Sequence, residues 1–182
     1  MVYDVAVTTH PPALALGTVQ WGMAYGIANR TGQASSGDVS RMVGLAAAAG
    51  VDTLDTARAY GDAEAVVGRA LAGRSGWRVI TKLDPAVCVP GATAEIVADA
   101  ARISLETSRR LLARGPLDAV LLHRPEHRTA CDGAAWKVLV AARAAGQIAD
   151  IGVSATSPET AHEALEDPQV AIMQVASSLL DR

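Results

Sequence analysis

Val51-Asp-Thr-Leu-Asp55-Thr-Ala57 is the stretch on which the fold turns, and Arg58-Ala-Tyr60-Gly61 follows it directly. Seven residues with β-branched and apolar members, closed by a loop that contains glycine, read as a strand. An acid, Asp55, stands near the strand's end, and a tyrosine five residues beyond that acid. A charged group at the end of an otherwise apolar strand is placed at the rim of a sheet, where α/β proteins keep their chemistry.

Working outward, the same kind of segment recurs. Leu14–Gln20 precedes it as a first strand, and Arg78–Leu83, Leu117–His123, Ala149–Ser154 and Val170–Ala176 follow. Helical periods lie between them. Ser35 and Asp38 have capping spacing ahead of Val39, Met42, Val43 and Ala46, and Gly50 stops that helix. Asp62 opens a second helix carrying Ala63, Val66, Val67 and Ala70, closed by Gly73. Ile96, Ala100, Ile103, Thr107 and Leu111 predict the inward stripe of a third, ending near Gly115-Pro116 with Arg109, Arg110 and Arg114 on its outer face and basic end. Trp136, Leu139, Val140 and Ala144 line a fourth, and Ser157-Pro158-Glu159 is the N-cap, N1 proline and first-turn acid of a fifth.

Near-continuous apolar strands alternating with amphipathic helices indicate a parallel sheet covered by helices. Such a sheet closes as an open doubly wound fold or as a (β/α)8 barrel. The first would want G-x-G-x-x-G after the first strand, and Gly17-Thr-Val-Gln-Trp-Gly22 does not supply it. The fold class expected is therefore α/β, an incomplete TIM (β/α)8-type barrel of six strands and five intervening helices, forming one domain over residues 1–182.

Composition narrows the function classes. The chain has 182 residues, half of them apolar, and a formal charge of −3, so no broad basic field exists for nucleic acid or an anionic membrane. Neither partner is expected. Met1–His10 lacks a cationic start and an apolar run, and no stretch of 18 uncharged apolar residues occurs, so the expected location is the cytoplasm. Cys88 and Cys131 stand far apart in the chain in no metal-ligand spacing, which argues against a disulfide framework or a metal site. His10, His127 and His162 have no partners at metal spacing and are expected to face solvent.

The strand ends carry chemistry that fits together. Asp55, Tyr60, Lys82 and His123 follow successive strands on the same side of the sheet. A phenol is a poor acid at neutral pH unless a cation lowers its pKa, and Lys82 supplies one; Asp55 holds Lys82 in place, and His123 orients and polarises a carbonyl. Each residue taken singly also has an ordinary structural reading, as a turn cap, a loop aromatic, a solvated charge or a rim histidine. Trp21, Tyr25 and Asn29, after the first strand, suit either a pocket wall or packing.

These residues stand in motifs that resemble the aldo-keto reductases: Asp55-Thr-Ala-Arg-Ala-Tyr60-Gly61, Glu64-Ala-Val-Val-Gly68, Ile80-Thr-Lys82, Leu121-Leu-His123-Arg-Pro125, Gly152-Val-Ser154 and Met173-Gln174. Leu16-Gly-Thr-Val-Gln-Trp-Gly22 and Tyr25-Gly-Ile-Ala-Asn29 look like the first strand and loop of a bacterial branch. The resemblance runs from about residue 14 to the end. It implies an oxidoreductase reducing a small-molecule carbonyl to an alcohol, or the reverse, with NADP(H). By the same resemblance Tyr60 is the general acid, Asp55 and Lys82 tune it, and His123 orients the carbonyl. Ser154 and Gln174 hold the nicotinamide carboxamide, and the Gly17 and Thr18 backbone lies beside the cofactor. Ala155 departs from the asparagine that many members carry, removing one carboxamide contact.

The resemblance also implies two further βα units, bearing the aromatic that stacks on the nicotinamide and the groups that grip the adenosine 2′-phosphate. Without them the first and sixth strands are open edges, and self-association through those edges is expected. Two functions stand open on the sequence: a carbonyl reductase, and a non-catalytic remnant or assembly module that keeps the acid cluster but does not hold the cofactor.

Overall fold

The computed structural model describes residues 14–177. Six strands, β1 (Ala15–Gly17), β2 (Thr53–Asp55), β3 (Arg78–Lys82), β4 (Leu117–Leu122), β5 (Ile148–Ala155) and β6 (Ile172–Val175), form one sheet in the order β1-β2-β3-β4-β5-β6. Every neighbouring pair is parallel. That order distinguishes the two closures: a doubly wound sheet reverses direction at a switch point, whereas a barrel adds each strand beside the last. The sheet is a partial barrel, open at β1 and β6 among the described residues.

Helices α1 (Val19–Gly22), α2 (Ser36–Ala48), α3 (Ala63–Ala70), α4 (Ala94–Leu112), α5 (Ala130–Ala144) and α6 (Pro158–Leu165) form the crossovers. Their starts follow from capping chemistry. The Ser35 hydroxyl accepts the Asp38 N–H, the Thr93 hydroxyl accepts the Ile96 N–H, and Ser157 and Thr160 bond reciprocally as a capping box. Asp62 occupies the N-cap of α3, but its side chain makes no capping bond.

Strand alternation and register sort the side chains. Gly17 aligns with Asp55, Asp55 with Ile80, Lys82 with Leu121, Leu121 with Gly152, and Ser154 with Gln174. With a period of two, Gly17, Asp55, Lys82, His123, Ser154 and Gln174 therefore share one face. The opposite face, with Leu54, Val79, Val120, Leu122, Ile151 and Val153, is buried under the helices. The helices thus cover one face, and the polar residues gather on the inner one.

Several sequence expectations shift. The first strand stops at Gly17, and Val19–Gly22 turns helical, because Thr18 closes the strand by donating its N–H and its hydroxyl to the Asp55 carbonyl, each at 2.9 Å. The crossovers therefore contain six helices where five were expected. The second and sixth strands are shorter than predicted, Thr53–Asp55 and Ile172–Val175. The inward face of α4 is rotated by one residue: Val97, Ala101, Ser104, Leu105, Ser108 and Leu112 are buried, while Ile96 and Ile103 are 57% and 68% exposed. The cause is close packing, which favours small residues: Ser104 accepts the Asp84 N–H, and a Cβ on Gly68 would lie 2.2 Å from the Leu111 carbonyl oxygen. On α5, Trp136 and Leu139 are buried as expected, but Ala144 is exposed and Ala142 takes its place. His127 is 5% exposed, against the expectation that it faces solvent, because it lies in a 3-10 turn packed on α5; His162 is exposed. His10 and the reading of Met1–His10 lie outside the described residues.

Candidate active site

Lys82, the last residue of β3, is only 2% exposed although it is a lysine. An ammonium so placed requires partners. Its Nζ donates to Asp55 Oδ1 at 2.7 Å and to the Thr56 carbonyl at 3.2 Å, so the ends of β2 and β3 are joined by a charge-assisted bond. Tyr60 arrives from the loop after β2: Nζ lies 5.3 Å from the centre of its ring. His123, just beyond β4, meets the same ring edge-on, with centroids 6.0 Å apart and planes at 84°. The structure thus brings all four expected residues, from three strand ends, into one cluster.

The loop that carries Tyr60 is clamped from two sides. On one, a Cβ at Gly22 would stand 1.8 Å from the Tyr60 carbonyl oxygen, so α1 abuts this loop closely enough to admit only glycine. On the other, Glu64, fully buried on α3, accepts from Arg58 Nη1 at 2.7 Å and from Thr81 Oγ1 at 2.6 Å. Thr81 is the neighbour of Lys82, so Glu64 couples the Tyr60 loop to β3. Arg58, Glu64 and Thr81 all stand within the sequence motifs, where none of them has a role of its own. A glutamate at a core position of a helix period was the available signal.

The electrostatics differ from the expectation for the phenol. Burial pushes the Tyr60 pKa above its ordinary value of 10.0, and the Asp55 carboxylate and Tyr25 push the same way. Lys82 does not reverse this: its charge is engaged by Asp55 at 2.7 Å. His123 is held below its ordinary 6.5 by burial, then by the Lys82 and Arg124 charges, so the imidazole is neutral at pH 7. Its Nδ1 is buried with no hydrogen-bond partner among the described residues, and the Thr56 hydroxyl is in the same state.

Ser154 and Gln174 face each other in register at the ends of β5 and β6, both half-buried. Gly17 is exposed, with open space where a Cβ would sit. Thr18 is buried and committed: beyond its two bonds to the Asp55 carbonyl, its own carbonyl accepts the Trp21 N–H at 2.8 Å. Trp21 is 2% exposed and belongs to the core. Asn29 closes a local turn by accepting the Thr31 and Gly32 N–H groups, and Tyr25 is 58% exposed. Among the described residues no group of three or more His, Cys, Asp and Glu side chains is placed to hold a metal, and no helix is long and apolar enough to cross a membrane. A groove of about 650 Å³ between α4 and α5 contains none of the cluster residues.

Parallel strands added in sequence, with a lysine–carboxylate pair, a phenol and a neutral imidazole at their ends, define a β/α-barrel protein with a cluster of titratable groups at its rim. The aldo/keto reductase family model matches residues 13–182, and the chain belongs to that family. Among solved structures it is similar to a Pseudomonas aeruginosa protein assigned to the aldo-keto reductases, with 26% identity and a TM-score of 0.77, covering 92% of this chain and 64% of that one. It is also similar to the glycerol dehydrogenase of Gluconobacter oxydans, with 28% identity and a TM-score of 0.69, covering 92% and 52%. An aldo-keto reductase of Bacillus halodurans, 20% identical with a TM-score of 0.68 over 91% and 53%, shares the fold. The chain spans less than two thirds of the length of each. A search of curated protein sequences finds no match.

Proposed function

We propose that this chain is a single partial barrel domain carrying the proton-transfer side of an NADPH-dependent carbonyl reductase. The observation that carries the reading is the buried Lys82–Asp55 pair at 2.7 Å, beneath a phenol ring 5.3 Å from Nζ and edge-on to His123.

The residues present fit the nicotinamide end of the cofactor. The Ser154 hydroxyl and Gln174 amide, side by side on the inner face, can donate to and accept from a carboxamide, and Gly17 leaves the adjacent strand end open. Thr18, with its polar groups engaged, contributes a wall. When bound, the reduced nicotinamide supplies a hydride.

Tyr60 gives its phenolic proton to the substrate oxygen. Its raised pKa keeps the proton in place through neutral pH, and an alkoxide is a stronger base than a phenolate, so transfer is downhill only as negative charge develops on that oxygen. Lys82 then faces the phenolate ring with its positive charge, and Asp55 fixes the position of that charge. Neutral His123 offers an N–H to the same carbonyl oxygen, which turns one face of the carbonyl toward the inner wall. Small-molecule carbonyls or alcohols are the substrate class.

The test is a fluorescence titration with NADPH, followed by reduction of an aldehyde panel, for the native chain and Tyr60→Phe. The expected result is cofactor binding retained in both and turnover lowered by ~10²-fold or more in the variant. Equal turnover in the two proteins refutes Tyr60 as the acid, and absence of NADPH binding to the native chain favours the non-catalytic module.

A further inference from the structure

The protein contains two cysteines, 43 residues apart in sequence, and the fold brings them together. Cys88 follows the 3-10 turn Pro85–Val87 in the loop after β3, and Cys131 lies at the start of α5, in a first turn whose backbone is not helical. Their sulfurs are 3.5 Å apart, in van der Waals contact. Both thiols are free, and both residues are partly exposed. From this contact we infer that Cys88 and Cys131 form a redox modification site, a dithiol that closes to an intramolecular disulfide when met by a low-molecular-weight disulfide.

Geometry favours closure. A disulfide bond is about 2.0 Å long, so the sulfurs must approach by about 1.5 Å, a distance that side-chain rotation and small loop shifts supply. Cys131 is not held by a regular helix. Cys131, Asp132 and Gly133 have φ of 49°, 58° and 68°, a run of left-handed residues whose first two carry a Cβ and are strained there. The segment therefore has conformations to relax into. The Cys131 thiol also donates weakly to the Ala92 carbonyl at 3.5 Å. Burial and the neighbouring Cys131 push the Cys88 thiol up, so adjacency of the two sulfurs, more than thiolate abundance, carries the reaction.

The chemistry balances with a small disulfide such as oxidised glutathione as oxidant. One cysteine thiolate attacks a glutathione sulfur and breaks the S–S bond; the glutathione thiolate that leaves takes up the proton the cysteine lost. The second cysteine attacks the protein-bound sulfur of this mixed disulfide, expels the second glutathione thiolate, and gives up its own proton to it. Two protein thiols are oxidised by two electrons, and one disulfide is reduced to two thiols. The bond ties the loop that leaves the Lys82 strand to the turn that follows the His123 strand.

The experiment treats the full chain with excess oxidised glutathione, natively and in urea, and reads alkylatable thiols and intact mass over time. The expected product has lost two hydrogen atoms and carries no glutathione, with a Cys88–Cys131 cross-linked peptide. It forms at least ~10-fold faster natively than in urea. Cys88→Ser and Cys131→Ser instead each retain one glutathionyl group. A native product bearing glutathione, two thiols still alkylatable after dithiothreitol in the same buffer is fully oxidised, or a native rate no higher than that in urea would each overturn the inference.

Discussion

Replacing Glu64 isolates the contact that fastens the Tyr60 loop to β3. The carboxylate is fully buried and accepts two bonds, from Arg58 at 2.7 Å and from Thr81 at 2.6 Å. Hydrogen bonds to a charged group contribute about 1.5–3 kcal/mol each, and breaking a buried pair costs about 3–5 kcal/mol when the remaining charge is stranded. The Arg58 side chain is 19% exposed and can recover some hydration, which places Glu64→Ala near the low end, at about 3 kcal/mol. Glu64→Gln keeps an acceptor for Arg58 and presents an NH₂ to the Thr81 oxygen, losing charge but not shape, so about 2 kcal/mol is expected. Asp99→Asn is the reference, since it breaks a pair with Arg102 in which both side chains are more than 60% exposed, worth at most about 0.5 kcal/mol. Urea unfolding followed by the fluorescence of Trp21, Trp77 and Trp136, all buried, reads the difference. With a slope of about 2 kcal/mol/M, Glu64→Gln lowers the midpoint by about 1 M and Asp99→Asn barely moves it. Equal midpoints for the two variants, at unchanged slope, would refute the view that Glu64 clamps the loop.

Gly22→Ala and Gly44→Ala are expected to act in opposite directions. A Cβ at Gly22 meets Tyr60 and Ala63 backbone atoms at 1.8 and 2.4 Å, costing about 3 kcal/mol, whereas one at Gly44 meets nothing within 4 Å and stabilises α2 by up to about 1 kcal/mol; thermal unfolding of both, with the same sign of shift, would contradict this. Stability also falls on acidification. Buried His127 and half-buried His123 are held below their ordinary 6.5, so below that pH the unfolded chain takes up protons that the folded chain refuses. Their contribution is complete above about pH 6.5 and is lost as pH falls toward the folded values. His127→Gln flattens the decline between pH 7.5 and 5.5 in urea midpoints, and a slope equal to the native one would sink the assignment. Finally, absorbance of the phenolate places the Tyr60 titration, taken as the difference between the native chain and Tyr60→Phe, above the ordinary tyrosine value; a midpoint below it would reverse the electrostatic reading.

Much of this was legible in the chain because strands and helices have different hydrophobic periods. Val39, Met42, Val43 and Ala46 do face inward, and Ser157 does cap α6. Legibility failed where alanine made several faces of a helix equally apolar, as on α4, where the large Ile96 and Ile103 point outward and Ala101, Ser104 and Ser108 pack inward beside Val97, Leu105 and Leu112. It failed again at Thr18, whose bonds to the Asp55 carbonyl end β1 early, because a strand's last residue depends on a partner 37 positions away.

What the sequence determined by itself is the set of groups and their side of the sheet. Asp55, Lys82 and His123 follow parallel strands at matching ends, and strand alternation alone assigns them one face. Only the tertiary structure decided what those groups feel. Burial, and then the Asp55 carboxylate, make the phenol rise instead of fall; Glu64 becomes a clamp; and two cysteines that spacing kept apart come to 3.5 Å. Coulomb interactions and burial depend on distances across elements, which periodicity along one element does not contain.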